Sequence, residues 1–207
     1  MRFDELVVDQ ALKQLGAPYL WAGRGTWLVR DVPGPDGKVL KGQIVHPSDP
    51  VVGCPASVPL VFDCAGLVLY CARRAGWLGP GASALDGLGE WGADTLLDHL
   101  PEYDLSGERP GDCNRLVFYG PLGGRATHVA IDIGRGLIIE AAGGDQTTLT
   151  YADAQKRTRM YQWPAAVAVR REFRRDRLGS RSLLALQYLP SRPPVAYPTP
   201  PIPPPRS

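Results

Sequence analysis

The apolar residues of this chain change their period part-way along it, and that change limits the fold more than any other feature. In residues 4–15, Leu6, Val7, Ala11, Leu12 and Leu15 share one side of a helix, with Gly16 as a stop and Pro18 beyond it. A second helix starts at about Asp63. There Cys64, Leu67, Val68, Cys71 and Ala75 keep helical spacing, Asp63 is a natural N-cap and Gly76 closes the helix. A third, short helix is expected around Trp91–Leu100, stopped by Pro101. Beyond it the pattern alternates. Arg115–Tyr119, His128–Ile133, Leu137–Ala142 and Ala165–Phe173 read as strands, and in the second Val129, Ile131 and Ile133 oppose His128, Ala130 and Asp132. Helices first and strands second is an α+β order.

The breaks between these segments sort into two kinds. Residues 26–61 carry Gly-Pro and Pro-Gly punctuation with no sustained period, and read as a long loop or small hairpin insertion. From Pro190 to Ser207, nine of 18 residues are proline, which excludes a helix or central strand and predicts an extended, polyproline-II-like tail. That tail is an inert extension or a docking strip for a partner. At 207 residues the chain is expected to be one domain, residues 1–175 with the insertion 26–61, followed by a flexible basic and Pro-rich extension over residues 176–207. Once the tail is set aside, the excess that remains is glycine, since all 24 glycines precede residue 190.

Charge and hydropathy exclude some classes. Residues 1–169 carry a net −4, whereas residues 170–181 hold six Arg against Glu172 and Asp176. This basic strip is a solvated surface or a weak attraction for an anionic polymer, and no nucleic-acid partner is expected. No run approaches the roughly 18 apolar residues of a membrane span. The first residues, Met-Arg-Phe-Asp-Glu-Leu, lack a charged start followed by an apolar core, so no signal peptide is read here.

The four Cys (54, 64, 71, 113) form no CxxC pair, which excludes a zinc finger or thioredoxin motif. Cys54 falls in the insertion, Cys113 at a strand start, and Cys71 two turns into its helix, where it reads as core. Cys64 follows the N-cap directly. Unpaired N–H groups and the helix dipole at that position favour a thiolate, and Gly66 leaves the approach to the sulfur open. Cys64 is therefore the candidate nucleophile, weighed against a small buried hydrophobe.

A thiol nucleophile needs a base, and the base needs an orienting acceptor. Three His exist: His46 in the insertion, His99 on the short helix, and His128 opening a strand on its non-apolar face. His128 is the candidate base. If Gly134-Arg135-Gly136 is a three-residue hairpin loop, Ile133 opposes Leu137, His128 opposes Ala142, and Glu140 lies on the face of His128 one diagonal step away. A two-residue loop would turn Glu140 to the other face. Glu140 also sits inside the run Leu-Ile-Ile-Glu-Ala-Ala, where a buried carboxylate needs a partner. Asp145 and Gln146 are the next acceptors in line.

Three separated segments resemble the NlpC-type cysteine peptidases of bacterial cell walls. Leu15-Gly-Ala-Pro-Tyr-Leu-Trp-Ala-Gly23 is similar to the family's Gly-x-Pro-Tyr-x-Trp-Gly-Gly segment. Phe62-Asp-Cys-Ala-Gly-Leu-Val68 is similar to its Asp-Cys-Ser-Gly-Leu-Val nucleophile motif. Pro110-Gly-Asp112, then His128-Val-Ala-Ile-Asp-Ile-Gly134, resemble Pro-Gly-Asp-Leu and His-Val-Gly-Ile-Tyr-Ile-Gly. The resemblance covers about residues 5–170.

It implies a papain-like α+β fold, with N-terminal helices packed on a central antiparallel sheet. It implies a thiol peptidase, without metal or cofactor, that cuts peptidoglycan stem peptides at a bond of the γ-D-glutamyl-diamino-acid type. Cys64 would be the nucleophile, His128 the base and then acid, and Glu140 the third member. Tyr19 would line the site and help stabilise the oxyanion. Asp63 would cap the helix and shape a substrate-amine subsite. Such an enzyme would act on the wall when carried by a virion or delivered by contact, or would work in the cytoplasm. A tail or assembly component with a vestigial site, and a papain-like amidase on another small amide, are the alternatives. Departures from the pattern are Ala65 for Ser, Ala22 for Gly, Cys113 for Leu, Glu140 for His, Asn or Gln, and the length of the insertion.

Overall fold

The computed structural model describes residues 1–25, 28–33, 39–45, 60–77, 91–102, 115–172 and 176–189. Cys54, Cys113, His46, the Pro110-Gly-Asp112 segment, Arg174, Arg175 and the Pro-rich tail lie outside the described residues.

Helix α1 (Phe3–Leu12) starts where the Glu5 carboxylate accepts the Arg2 N–H at 2.8 Å. It is shorter than its apolar spacing predicts. Gln14 and Leu15 bond back three residues instead of four, tightening the last turn, and Gly16 (φ +86°) donates to the Val167 carbonyl at 2.9 Å. Within the insertion, β2 (Leu28–Pro33) and β3 (Val39–Val45) pair antiparallel, and β1 (Arg24–Gly25) pairs with β4 (Val61–Phe62) just before the second helix. Helix α2 (Cys64–Arg74) and helix α3 (Ala93–His99) follow.

The central sheet has the order β8-β7-β6-β5-β9, all antiparallel, built from β5 (Arg115–Tyr119), β6 (His128–Gly134), β7 (Leu137–Ala142), β8 (Ala166–Arg171) and β9 (Arg177–Ser182). Helix α2 packs across β6 and β7, and α1 packs on α2. The buried seam joins Leu67 and Val68 of α2 to Phe118, Val129, Ile131 and Ile139 of the sheet. This is an α+β fold, with the helix that begins at Cys64 laid on an antiparallel sheet.

The β6–β7 hairpin differs from expectation in a way that matters for the site. Gly134, not Ile133, pairs with Leu137, so the loop is the two residues Arg135 and Gly136. Both have positive φ (57° and 69°), the geometry of a type I′ turn. Taken alone, that shorter loop would turn Glu140 away from His128. A bulge at Ile133 inserts one residue and restores the parity, so that Asp132 pairs with Ile138 and Ile131 with Ile139. Carried along the strands, this register sets His128 opposite Ala142, with Glu140 on the same face.

Three elements have no counterpart in the sequence reading. Helix α4 (Tyr151–Tyr161) is opened by a reciprocal cap between Thr150 and Asp153 and buries only Ala154. Strand β9 pairs with β5, and the 3₁₀ helix Leu184–Tyr188 buries Leu186, with Leu183 and Leu189 on either side. The packed body therefore runs past residue 175, and three arginines of the basic strip are engaged within it. Arg181 donates to the Leu97 carbonyl at 2.9 Å, Arg177 pairs with Glu172, and Arg170 pairs with Glu140.

Candidate active site

The first turn of α2 is fixed by its own sequence. Asp63 is extended at the N-cap, and its carboxylate accepts the Gly66 N–H at 2.7 Å. The same oxygen is ion-paired with Arg24, and both side chains are buried. A Cβ on Gly66 would lie 1.8 Å from the Gly23 carbonyl oxygen. The missing side chain thus lets the backbone that leads into β1 lie against the helix start, rather than clearing the way to the sulfur. Held in this way, Cys64 is the first residue of α2. Its backbone N–H is among those that an α-helix leaves without an internal acceptor.

His128 opens β6, paired with Tyr119 of β5, whose ring lies 5.9 Å away centre to centre. Its Nε2–H donates to Glu140 Oε2 at 2.7 Å. With Nε2 so engaged, Nδ1 is the nitrogen left for Cys64. Burial pushes the imidazole pKa down. The hydrogen bond and charge of Cys64, followed by those of Glu140, outweigh it and lift the value to about 9. His128 and Glu140 are 9% and 4% exposed, so solvent screens this coupling little.

Glu140 is held on its other side too. Arg170 Nη1 donates to Oε1 at 3.3 Å, while its Nη2 donates to the Pro164 carbonyl at 2.8 Å. The guanidinium lies over the Trp163 ring, 5.1 Å from its centre.

Tyr19 is 4% exposed and packs where Gly144 leaves room, since a Cβ there would sit 2.1 Å from the ring. Burial first, then the negative charges of Cys64, Asp63 and Asp145, hold its phenol far above the ordinary tyrosine range. It therefore stays a protonated donor beside the thiol. The structure thus brings Cys64, His128, Glu140, Tyr19 and Asp63 into one cluster. Asp63 is engaged by the helix and by Arg24.

The other candidates lie elsewhere. Cys71 is fully buried in α2, where burial raises its thiol pKa. His99 bonds the Thr95 carbonyl and edges against Trp91. The Asp145 carboxylate is taken up by Thr147 and Arg157. Among the described residues, no helix is long and apolar enough to cross a membrane.

No protein-family model matches the chain. Over 139 residues it is 32% identical to the peptidoglycan endopeptidase RipB of Mycobacterium tuberculosis, an alignment that covers 67% of this chain and 43% of RipB. The chain thus spans less than half the length of that curated relative. Among solved structures, it is similar to RipD of the same organism, a non-catalytic NlpC/p60 domain protein described as adapted to peptidoglycan binding. That likeness has 19% identity and a TM-score of 0.47, over 87% of this chain and 95% of RipD. The solved RipB structure gives 22% identity and a TM-score of 0.44, over 87% and 64%.

Proposed function

We propose, for a chain that belongs to the NlpC/p60 family, a thiol endopeptidase of peptidoglycan stem peptides that works through Cys64, His128 and Glu140. The observation that carries this reading is His128 itself. One ring nitrogen is bonded to a buried carboxylate, the other faces a thiol at a helix start, and the imidazole pKa is lifted to about 9. That arrangement favours a thiolate–imidazolium pair, the reactive form of a cysteine nucleophile.

In the proposed reaction the Cys64 sulfur attacks the carbonyl carbon of the scissile amide. The negative charge that forms on the carbonyl oxygen is met by the Cys64 N–H and the Tyr19 hydroxyl. The His128 imidazolium gives its proton to the leaving amine nitrogen, and the C–N bond breaks to leave a thioester. Neutral His128 then takes a proton from water as that water attacks the thioester, and the thiolate is released. Glu140 holds the ring in the tautomer with its proton on Nε2 and stabilises the imidazolium. Asp63 fixes the helix start. Its carboxylate is committed to Gly66 and Arg24, so it serves as a positioning group.

The bond proposed is of the γ-D-glutamyl-diamino-acid type. The test is digestion of purified sacculi and defined muropeptides by the protein and by Cys64→Ala, with products followed by mass spectrometry. New fragments with a freed diamino-acid amine, absent from the variant, are expected. Identical product profiles overturn the reading, and wall binding without cleavage would make the protein a binding component. Cleavage of a non-wall amide alone would make it an amidase.

A further inference from the structure

From the line of side chains that crosses three neighbouring strands, we infer that Arg170 is a positioning residue for the reaction, acting on His128 through Glu140. The inference rests on the thiol peptidase reading above for its activity readout, and on geometry for the rest.

Residues 138 and 140 of β7 pair with residues 170 and 168 of β8. Arg170 is therefore diagonal to Glu140 on one face, as Glu140 is to His128, and a long side chain spans such a step. The small Ala168 stands directly opposite Glu140. The two carboxylate oxygens are divided between the neighbours: Oε2 accepts from His128 and Oε1 from Arg170. Arg170 is fixed in turn by the Pro164 carbonyl and the Trp163 ring, and its side chain is only 14% exposed. A planar guanidinium suits this task, because it can lie flat on an aromatic ring while its edge donates in two directions.

The electrostatic need is specific to a glutamate in this position. A buried carboxylate beside an imidazole costs free energy whenever the imidazole is neutral, because the negative charge then lacks its counterion. His128 must pass through that neutral state to take a proton from water. Arg170 supplies a standing positive charge, so Glu140 stays ionised and in place through both states of His128. The groups facing the imidazole are Cys64 from α2, Glu140 from β7 and the Tyr119 ring from β5. Glu172 and Arg177 lie behind Tyr119.

The experiment compares the full chain with Arg170→Met, Arg170→Lys, Glu140→Gln and the double variant Arg170→Met/Glu140→Gln. It reads muropeptide turnover, thermal stability and the His128 titration by NMR. Arg170→Met is expected to lower kcat/KM about tenfold, within the range for one member of a coupled network, and to cost nothing further in the Glu140→Gln background. The titration of His128 should move upward, because Glu140 no longer shares its charge. Arg170→Lys should recover part of both effects. A lowered melting temperature with turnover and titration unmoved, or an equal loss in both backgrounds, overturns the inference. An upward titration shift in a protein that cleaves no muropeptide supports the Arg170–Glu140–His128 link while overturning the peptidase reading.

Discussion

Glu140 Oε2 accepts the Nε2–H of His128 at 2.7 Å across the β6–β7 hairpin, and both side chains are buried. The pair exists because a bulge at Ile133 offsets a two-residue turn. Shifting the strand by one residue would put the carboxylate and the imidazole on opposite faces of the sheet.

Glu140→Gln is isosteric and keeps an acceptor oxygen but removes the charge. In the proposed mechanism it mispositions His128 and no longer stabilises the imidazolium. We expect the fold to persist by circular dichroism and kcat/KM on muropeptides to fall about a hundredfold or more. Full activity in this variant would remove Glu140 from the mechanism and leave it as a strand residue.

The raised imidazole pKa, set first by Cys64 and then by Glu140, predicts a pH-dependent contribution of His128 to stability. Folded His128 holds its proton up to about pH 9, whereas the unfolded imidazole releases it near 6.5. Below pH 6.5 both states are protonated and the stabilisation is complete. Between the two values unfolding takes the proton from His128, so this group's own contribution falls as pH rises, and above about 9 it is gone. His128 ring signals followed by NMR between pH 6 and 10 should show a midpoint near 9, and a lower one in Glu140→Gln. A His128 that titrates at 6.5 in the folded protein would contradict the assignment.

What could be read from the chain was what depends on period and punctuation. The α2 start was legible because Asp63, Cys64 and Gly66 each carry a local reason to be there. The register of Glu140 is legible only by way of the wrong loop: the sequence Gly134-Arg135-Gly136 fits a three-residue turn, and a bulge leaves no mark at Ile133. Helix α4 is not legible because its residues, from Tyr151 to Tyr161, have no apolar stripe. Its one local signal was the Thr150–Asp153 cap. Strand β9, Arg-Leu-Gly-Ser-Arg-Ser, is half-buried throughout and alternates in nothing, so its arginines read as surface. Arg24 and Arg170 reach Asp63 and Glu140, 39 and 30 residues away, and single-chain patterns do not record such pairings.

Two backbone positions near Cys64 should respond in opposite directions. Ala22 has φ +62°, a left-handed conformation that glycine adopts without strain. Ala22→Gly should therefore stabilise the protein by about 0.5–1 kcal/mol, despite the added freedom of the unfolded chain. Gly66→Ala should destabilise by about 1–3 kcal/mol although alanine is the better helix former, because its methyl group meets the Gly23 carbonyl. Urea titrations of the two variants beside the parent check both signs, and activity should fall in Gly66→Ala as the α2 start is pushed away.

The Arg24–Asp63 pair separates capping from charge. Asp63 caps α2 through Gly66 and balances a guanidinium that is itself buried. Asp63→Asn keeps an oxygen for the Gly66 N–H but removes the carboxylate charge that faces the Arg24 guanidinium. Asp63→Ala removes both. Breaking one side of a buried ion pair costs about 3–5 kcal/mol, and losing a cap about 1 kcal/mol more. Stabilities should therefore fall in the order parent, Asp63→Asn, Asp63→Ala, with the larger step first. Against a total of about 5–15 kcal/mol for a domain, the alanine variant should be close to unfolding at 37 °C. Since Cys64 is the next residue, its alkylation by iodoacetamide, followed by peptide mass, should speed up in the same order as the helix start loosens and exposes the thiol. An Asp63→Asn protein as stable as the parent would mean that Arg24 contributes no net charge stabilisation, and that the cap alone fixes the position of Cys64.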